Sequence, residues 1–171
     1  MQRDVKNQLV RKIVETAIIA ALYVVLTFIS NIFGLSYSGV QLRLSEALTI
    51  LPALSPFAVT GLTIGCFISN LASPLGIIDI VFGTLSTFIC AQLTRMCSKV
   101  IVKGIPILAP LPPVLVGSIL IGLMIAFIMP EGFSFYAFLI SSISVGIGEF
   151  IVCYGLGIPL FLFIKKSKIL K

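Results

Sequence analysis

Five long apolar runs, separated by short polar stretches, dominate the hydrophobic pattern of this chain. They cover residues 13–33, 56–72, 77–93, 113–129 and 135–164. A helix needs roughly 20 apolar residues to cross the hydrocarbon core of a bilayer, and a shorter run is accommodated by its flanking residues or by local thinning of the lipid. The pattern therefore predicts an all-α integral membrane protein.

A sixth, shorter apolar segment covers residues 44–54, where Pro52, Ser55 and Pro56 break the apolar pattern. The positive charges decide whether it counts as a span, because cytoplasmic loops of membrane proteins collect Lys and Arg. Eleven of the 12 Lys and Arg residues lie in three clusters, within residues 3–12, 95–103 and 165–171. Six spans place all three clusters in the cytoplasm, whereas five would put the last two on opposite sides.

We therefore predict a single domain over residues 1–171, a six-helix transmembrane bundle with both termini in the cytoplasm. The predicted spans cover about residues 12–34, 43–55, 56–73, 77–98, 111–130 and 134–165. The short second span has two compatible interpretations. It is a discontinuous helix of the kind that marks substrate sites in transporters, or the first arm of a plain hairpin that turns at residues 52–56.

Composition excludes several classes of function. Hydrophobic residues make up 58% of the chain and charged residues 11%, with a mean hydropathy of +1.19. The net charge of +6 lies at the ends of the predicted helices, so it indicates anionic lipid and not nucleic acid. The chain has no histidine, no CxxC pair and no GxxxxGK[ST] motif. We therefore expect no metal site, no cofactor, no enzymatic activity and no ATP cleavage by this chain itself.

Four charged residues remain in or at the edges of the predicted spans: Arg43, Glu46, Asp79 and Glu149. Ionisable residues are costly in a membrane and mark functional sites. Arg43 and Glu46 are predicted to meet on one helical face, as a structural ion pair or as ligand contacts. Asp79 is either an N-cap or a ligand contact. Glu149 lies about 21 Å along the last span and is either a ligand contact or a protonated, hydrogen-bonded acid.

Two predicted helices carry matching stripes of small and polar residues, at i, i+4, i+7 and i+11. The stripes are Asp79, Gly83, Ser86 and Cys90, and Ser142, Gly146, Glu149 and Cys153. We expect both to face the bundle interior, with Gly146 letting the backbone approach a ligand. Asn70 is a candidate for a hydrogen bond to substrate, and Gly61 and Gly65 predict a close helix contact.

Charge and aromatic residues narrow the class of ligand. Arg43 and the three carboxylates sum to −2 when ionised, which favours a cation or a ligand rich in hydrogen-bond donors. Tyr37, near the outer end of the first span, either covers a flat ring of the ligand or belongs to an interfacial aromatic belt. Ala17 and Ala21 form a small face through which another helix can approach closely.

The sequence resembles the substrate-binding S components of energy-coupling-factor (ECF) transporters, most closely the QueT group. The resemblance covers nearly the whole chain. It rests on the alanine pair and on the segments VQLRLSEAL at 40–48, GCFISN at 65–70, DIVFGT at 79–84, LAPLPP at 108–113 and GIGE at 146–149. It implies a six-helix fold with a pocket near the outer face, lidded by residues 34–41.

The function that the resemblance implies is capture of a queuosine precursor, a 7-deazaguanine base such as the aminomethyl form or queuine, outside a bacterial plasma membrane. The implied partners are a transmembrane coupling subunit, which docks on the first span at Ala17 and Ala21, and two ATPase subunits. The predicted substrate-binding residues are Arg43, Glu46, Asn70, Asp79, Glu149, Tyr37 and Gly146.

Three other functions stay open from the sequence. The chain is an S component for another vitamin-like cation, or a self-sufficient carrier with Glu149 as its proton site. The third is a membrane-embedded hydrolase that uses Asp79 and Glu149 as an acid pair, although no nucleophile and base are paired in the sequence.

Overall fold

A computed structural model describes residues 2–35 and 41–167 of the chain, and this part is helical. The α-helices are α1 (Gln2–Ile32), α2 (Phe57–Asn70), α3 (Ile77–Cys97), α4 (Ser118–Ile128), α5 (Phe135–Val152) and α6 (Ile158–Ser167). A 3₁₀ helix, Leu44–Ala53, lies between α1 and α2. One π-helical turn, Pro113–Gly117, leads into α4, and a second, Cys153–Gly157, joins α5 to α6. The all-helical prediction is confirmed.

Three helical stretches in the described part are long and apolar enough to cross a membrane. They are Lys6–Ile32, Ile77–Cys97 and Phe135–Ser167, and the shorter apolar stretches are Leu44–Ala53, Phe57–Asn70 and Pro113–Ile128. The chain is thus a multi-pass membrane protein. Six crossings and cytoplasmic termini stay a prediction.

The ends of the long helices follow from the positions of glycine. Helix α1 contains neither Gly nor Pro and ends just before Gly34, whose φ is +67°. Helix α3 begins after Gly76, whose φ is +65°. Positive φ values are readily adopted by glycine and interrupt an α-helix.

The short second segment is a 3₁₀ helix and not an α-helix, with Pro52 inside it. Because a 3₁₀ helix rises about 2.0 Å per residue, its ten residues extend roughly 20 Å. Ser45 and every residue from Ala47 to Pro52 are buried. The segment therefore runs through the interior of the bundle, and a turn at residues 54–56 joins it to α2, as the hairpin interpretation predicted.

Helices α1 and α2 pack closely through the two glycines of α2. A Cβ on Gly61 would stand 2.9 Å from Cβ of Ile19, and one on Gly65 would stand 2.7 Å from Cβ of Tyr23. Both distances are too short for a larger side chain. The close helix contact predicted from Gly61 and Gly65 is confirmed. It presses the inner face of α1 against α2 and the 3₁₀ helix.

Candidate functional site: a buried acidic cavity

A cavity of about 30 Å³ lies inside the bundle, where the start of the 3₁₀ helix meets α3, α5 and the first π-helical turn. Its lining residues are Gln41, Arg43, Glu46, Gly83, Ser86, Thr87, Cys90, Pro113, Gly117, Ile121, Val145 and Glu149. Three of these residues are charged, although the surrounding protein is apolar. Charged groups in a membrane interior indicate a binding site or an ion pathway.

The wall contributed by α3 is the polar stripe predicted from the sequence. Gly83, Ser86 and Cys90 face the cavity, and Thr87 lies beside them. Gly83 is six residues beyond the start of α3, so the cavity begins about 9 Å along that helix. The site is therefore in the interior of the bundle, below the helix ends.

The second stripe runs from α5 into the second π-helical turn, and its residues pack against different elements along its length. Ser142 packs against Gly122 of α4, Glu149 lines the cavity, and Cys153 lies 3.6 Å from Thr49 of the 3₁₀ helix. The predicted ligand contact Gly146 is not among the lining residues. It lies in an open groove between α4 and α5, because α4 covers this part of α5.

The carboxylate of Glu149 occupies space that a glycine provides. A Cβ on Gly117 would stand 3.0 and 3.1 Å from the two oxygens of Glu149. The buried oxygen Oε2 has no hydrogen-bond partner within residues 2–35 and 41–167. A buried acceptor without a partner costs free energy, so this oxygen is available to a donor on a ligand.

The second carboxylate of the cavity, Glu46, is held by a neighbouring helix. Tyr23 of α1 donates its hydroxyl to Oε1 of Glu46 at 2.8 Å. Tyr23 itself is buried and is not a lining residue. Sequence reasoning missed Tyr23 because it is one aromatic residue in a long apolar run.

The predicted ion pair between Arg43 and Glu46 is wrong. Arg43 instead lies against Asp79, with 3.6 Å between Nη2 and Oδ2. Arg43 precedes the 3₁₀ helix in an extended conformation, with φ −94° and ψ 108°. The spacing of three residues therefore does not bring the two side chains together on a helical face.

Asp79 does not line the cavity, but it is paired with Arg43, which does. It lies in the first turn of α3, whose N-cap is Gly76, so the predicted N-cap role for Asp79 is also wrong. Its side chain is fully buried, and Ser73 donates a hydrogen bond to Oδ2 at 2.5 Å. Oδ1 lacks a hydrogen-bond partner in the described part of the chain.

Asn70 also lies outside the lining. Its amide Nδ2 donates to the carbonyl oxygen of Asp79 at 2.9 Å and contacts the sulfur of Cys66 at 3.4 Å. The bond to Asp79 joins α2 to α3, whereas the contact with Cys66 lies within α2. As a substrate contact, Asn70 thus stays a prediction without a place in the cavity wall.

Two further predictions concern residues away from the cavity. Tyr37 lies outside the described residues. Ala17 and Ala21 are exposed on α1, on the side opposite the buried Ile19 and Tyr23. An exposed small face on a membrane helix is open to another helix.

Gly148 is a site residue that sequence reasoning did not single out. A Cβ at this position would overlap the carbonyl oxygen of Gln41. The extended segment that carries Gln41 and Arg43 therefore rests directly on α5, one residue before Glu149. The sequence signal was a second glycine next to an intramembrane acid.

Comparison with known proteins places the chain in a family. The family model described as QueT transporter matches residues 13–166. The queuosine precursor transporter QueT of Lactococcus lactis subsp. cremoris (strain MG1363) is 40% identical over 81 residues, which are 47% of this chain and 47% of that protein. The chain thus matches about half the length of that relative. No solved structure matches. The chain belongs to the QueT transporter family, whose members are transport proteins and not enzymes.

Proposed function

We propose that this chain is the substrate-binding S component of an ECF-type importer and that it captures a queuosine precursor, a 7-deazaguanine base. The observation that carries this proposal is the buried cavity lined by both Glu46 and Glu149. The name of the Lactococcus lactis relative supports the class of substrate. The location is the bacterial plasma membrane, with the cavity filled from outside.

The chemistry of a 7-deazaguanine suits two carboxylates. The guanine edge presents neighbouring N–H donors, and the aminomethyl form adds an ammonium group. Carboxylates accept short, charge-assisted hydrogen bonds from such donors. Arg43 is already paired with Asp79, so Glu46 and Glu149 dominate the charge that a ligand meets.

The size of the cavity requires that its walls separate when substrate binds. Its volume is about 30 Å³, whereas pockets for small molecules are typically about 300 Å³ or more. The extended segment with Gln41 and Arg43 is the wall that is not part of a helix. We propose that this segment moves outward to admit the base.

The energy for transport comes from partners in this proposal. They are a transmembrane coupling subunit and two ATPase subunits, since the chain has no GxxxxGK[ST] motif. The exposed alanine face of α1, at Ala17 and Ala21, is the proposed docking surface for the coupling subunit.

Binding by the purified protein tests the proposed substrate. Calorimetry in detergent would compare the aminomethyl and cyano 7-deazaguanines and queuine with thiamine as an unrelated cationic vitamin. Saturable binding of a deazaguanine supports the proposal. Binding of thiamine alone would favour an S component for another vitamin-like cation, and binding of none would overturn the class of substrate.

A proton-coupled carrier is the second candidate, and the unpartnered Oε2 of Glu149 supports it. Copurification separates the two, because the ECF proposal requires bound coupling and ATPase subunits. Uptake by vesicles that contain this chain alone and a proton gradient would favour the carrier. The hydrolase alternative has less support, since Glu149 lines the cavity and Asp79 does not.

A further inference from the structure

Tyr23 does not line the cavity, but it is hydrogen-bonded to Glu46, which does. Its hydroxyl donates to Oε1 of Glu46 at 2.8 Å, while only 1% of the residue's surface is exposed. A buried tyrosine hydroxyl usually finds a partner. Here that partner is a lining carboxylate, so the hydrogen bond fixes a group that faces the ligand space.

The ring of Tyr23 is itself held in place. Gly65 of α2 lies against the Cβ of Tyr23, where any larger side chain would collide with it. The ring belongs to the same buried core as Leu48 and Leu62. In a close-packed interior a side chain cannot follow a moving partner without a cost in packing. Gly65 and Tyr23 together therefore define where Glu46 stands.

The two carboxylates of the cavity differ in this respect. Glu46 has a fixed donor, whereas Oε2 of Glu149 has none in the part of the chain that the structure describes. Preorganised groups bind a ligand at a lower entropic cost than mobile ones. One carboxylate is thus held in advance of binding, and the other is free to adapt to the ligand.

We infer that Tyr23 is a positioning residue for substrate binding and acts by holding Glu46 through its hydroxyl. The inference rests on the proposed function. A purely structural role would make the hydroxyl of Tyr23 equivalent to that of Thr27, which also joins α1 to the 3₁₀ helix. The hydroxyl of Thr27 is hydrogen-bonded to the hydroxyl of Ser45 at 2.9 Å and to the carbonyl oxygen of Tyr23 at 2.9 Å, and neither of these partners lines the cavity.

The pair Tyr23→Phe and Thr27→Val therefore forms a matched test. Each change removes one hydroxyl between the same two elements, so both should lower the unfolding temperature by similar amounts. We expect Tyr23→Phe to weaken binding of the aminomethyl deazaguanine about tenfold. Thr27→Val should change it by less than about twofold. Wild-type affinity in Tyr23→Phe, or equal losses in both variants, would overturn the inference and leave the proposed function standing.

Absence of deazaguanine binding by the wild-type protein would overturn the proposed function. An infrared measurement would still test whether Tyr23 holds Glu46. The carboxyl band of Glu46, identified by its loss in Glu46→Gln, should shift in Tyr23→Phe and not in Thr27→Val. An unshifted band in Tyr23→Phe would show that the hydroxyl does not hold Glu46.

Discussion

Glu149 is the residue on which the binding proposal depends most directly. Its Oε2 is buried in the cavity region without a hydrogen-bond partner among the described residues. We expect Glu149→Gln to weaken substrate binding roughly ten- to hundredfold, since a charge-assisted hydrogen bond contributes about 1.5–3 kcal/mol. The fold should persist, because the amide has nearly the same shape. Calorimetry with the purified protein measures the change.

The matched control for this substitution is Glu131→Gln, since Glu131 is exposed between α4 and α5 and does not line the cavity. It should bind like the wild-type protein. Equal affinity of the Glu149 and Glu131 variants would remove Glu149 from the binding site.

Arg43 should be coupled to Asp79 more strongly than to Glu46. Removing one partner of a buried ion pair leaves the other charge uncompensated. The loss of unfolding free energy in the double variant Arg43→Ala with Asp79→Ala should therefore be smaller than the sum of the losses in the two single variants. The coupling free energy should be about 0.5–3 kcal/mol. It is measured from unfolding in detergent.

The reference cycle uses Arg43→Ala with Glu46→Ala. We expect its coupling to be smaller, because the structure pairs Arg43 with Asp79 and Glu46 with Tyr23. A larger coupling in this cycle than in the Asp79 cycle would contradict the geometry of the site.

At the scale of the element, the binding site should be sensitive to side-chain volume at Gly148 of α5 and not at Gly155 of the π-helical turn that follows α5. Gly148→Ala would place a methyl group against the carbonyl oxygen of Gln41, whereas a Cβ on Gly155 meets no atom within 4 Å. We expect Gly148→Ala to displace the segment with Gln41 and Arg43 and to weaken substrate binding at least about tenfold. Gly155→Ala should have no effect on calorimetric affinity. Equal affinities in the two variants would show that this contact does not shape the cavity.

The sequence predicted the helices better than it predicted their details. Hydrophobic length and the three cationic clusters were enough to locate the helical segments. They did not reveal that residues 44–53 form a 3₁₀ helix, because the apolar pattern of a short, largely buried segment has no clear period. The pairing of Arg43 was missed for a related reason, since it depends on the backbone just before that helix begins.

The candidate site was predictable in part. The intramembrane acids Glu46 and Glu149 were identified from charge alone, and both line the cavity. Gly146 was chosen for its place on a polar stripe, but a stripe does not show which neighbour covers each turn. Tyr23 and Gly117 act through contacts with residues distant in the chain, which a single sequence does not contain.

At the scale of the whole molecule, α1 should separate binding from transport. Ala17→Trp places a bulky group on an exposed face of α1, so it should block the approach of a partner helix. The isolated protein should bind substrate with wild-type affinity. Copurification with the coupling subunit and uptake by cells should fall at least about tenfold, because docking through this face requires the two helices to pack closely.

The control is Ile143→Trp, a change at an exposed position of α5. It should leave both uptake and copurification intact. Normal uptake by the Ala17 variant, or loss of binding by the isolated protein, would show that this face of α1 is not the docking surface.

The burial of the 3₁₀ helix has a consequence for how the protein is made. Its ten residues are too few for insertion into the bilayer as an independent span. It must therefore enter the membrane together with α1 and α2 and reach its final place only when α3 and α5 have closed around it. Because the cavity needs both Glu46 of this segment and Glu149 of α5, we expect the binding site to form only after α5 has been synthesised.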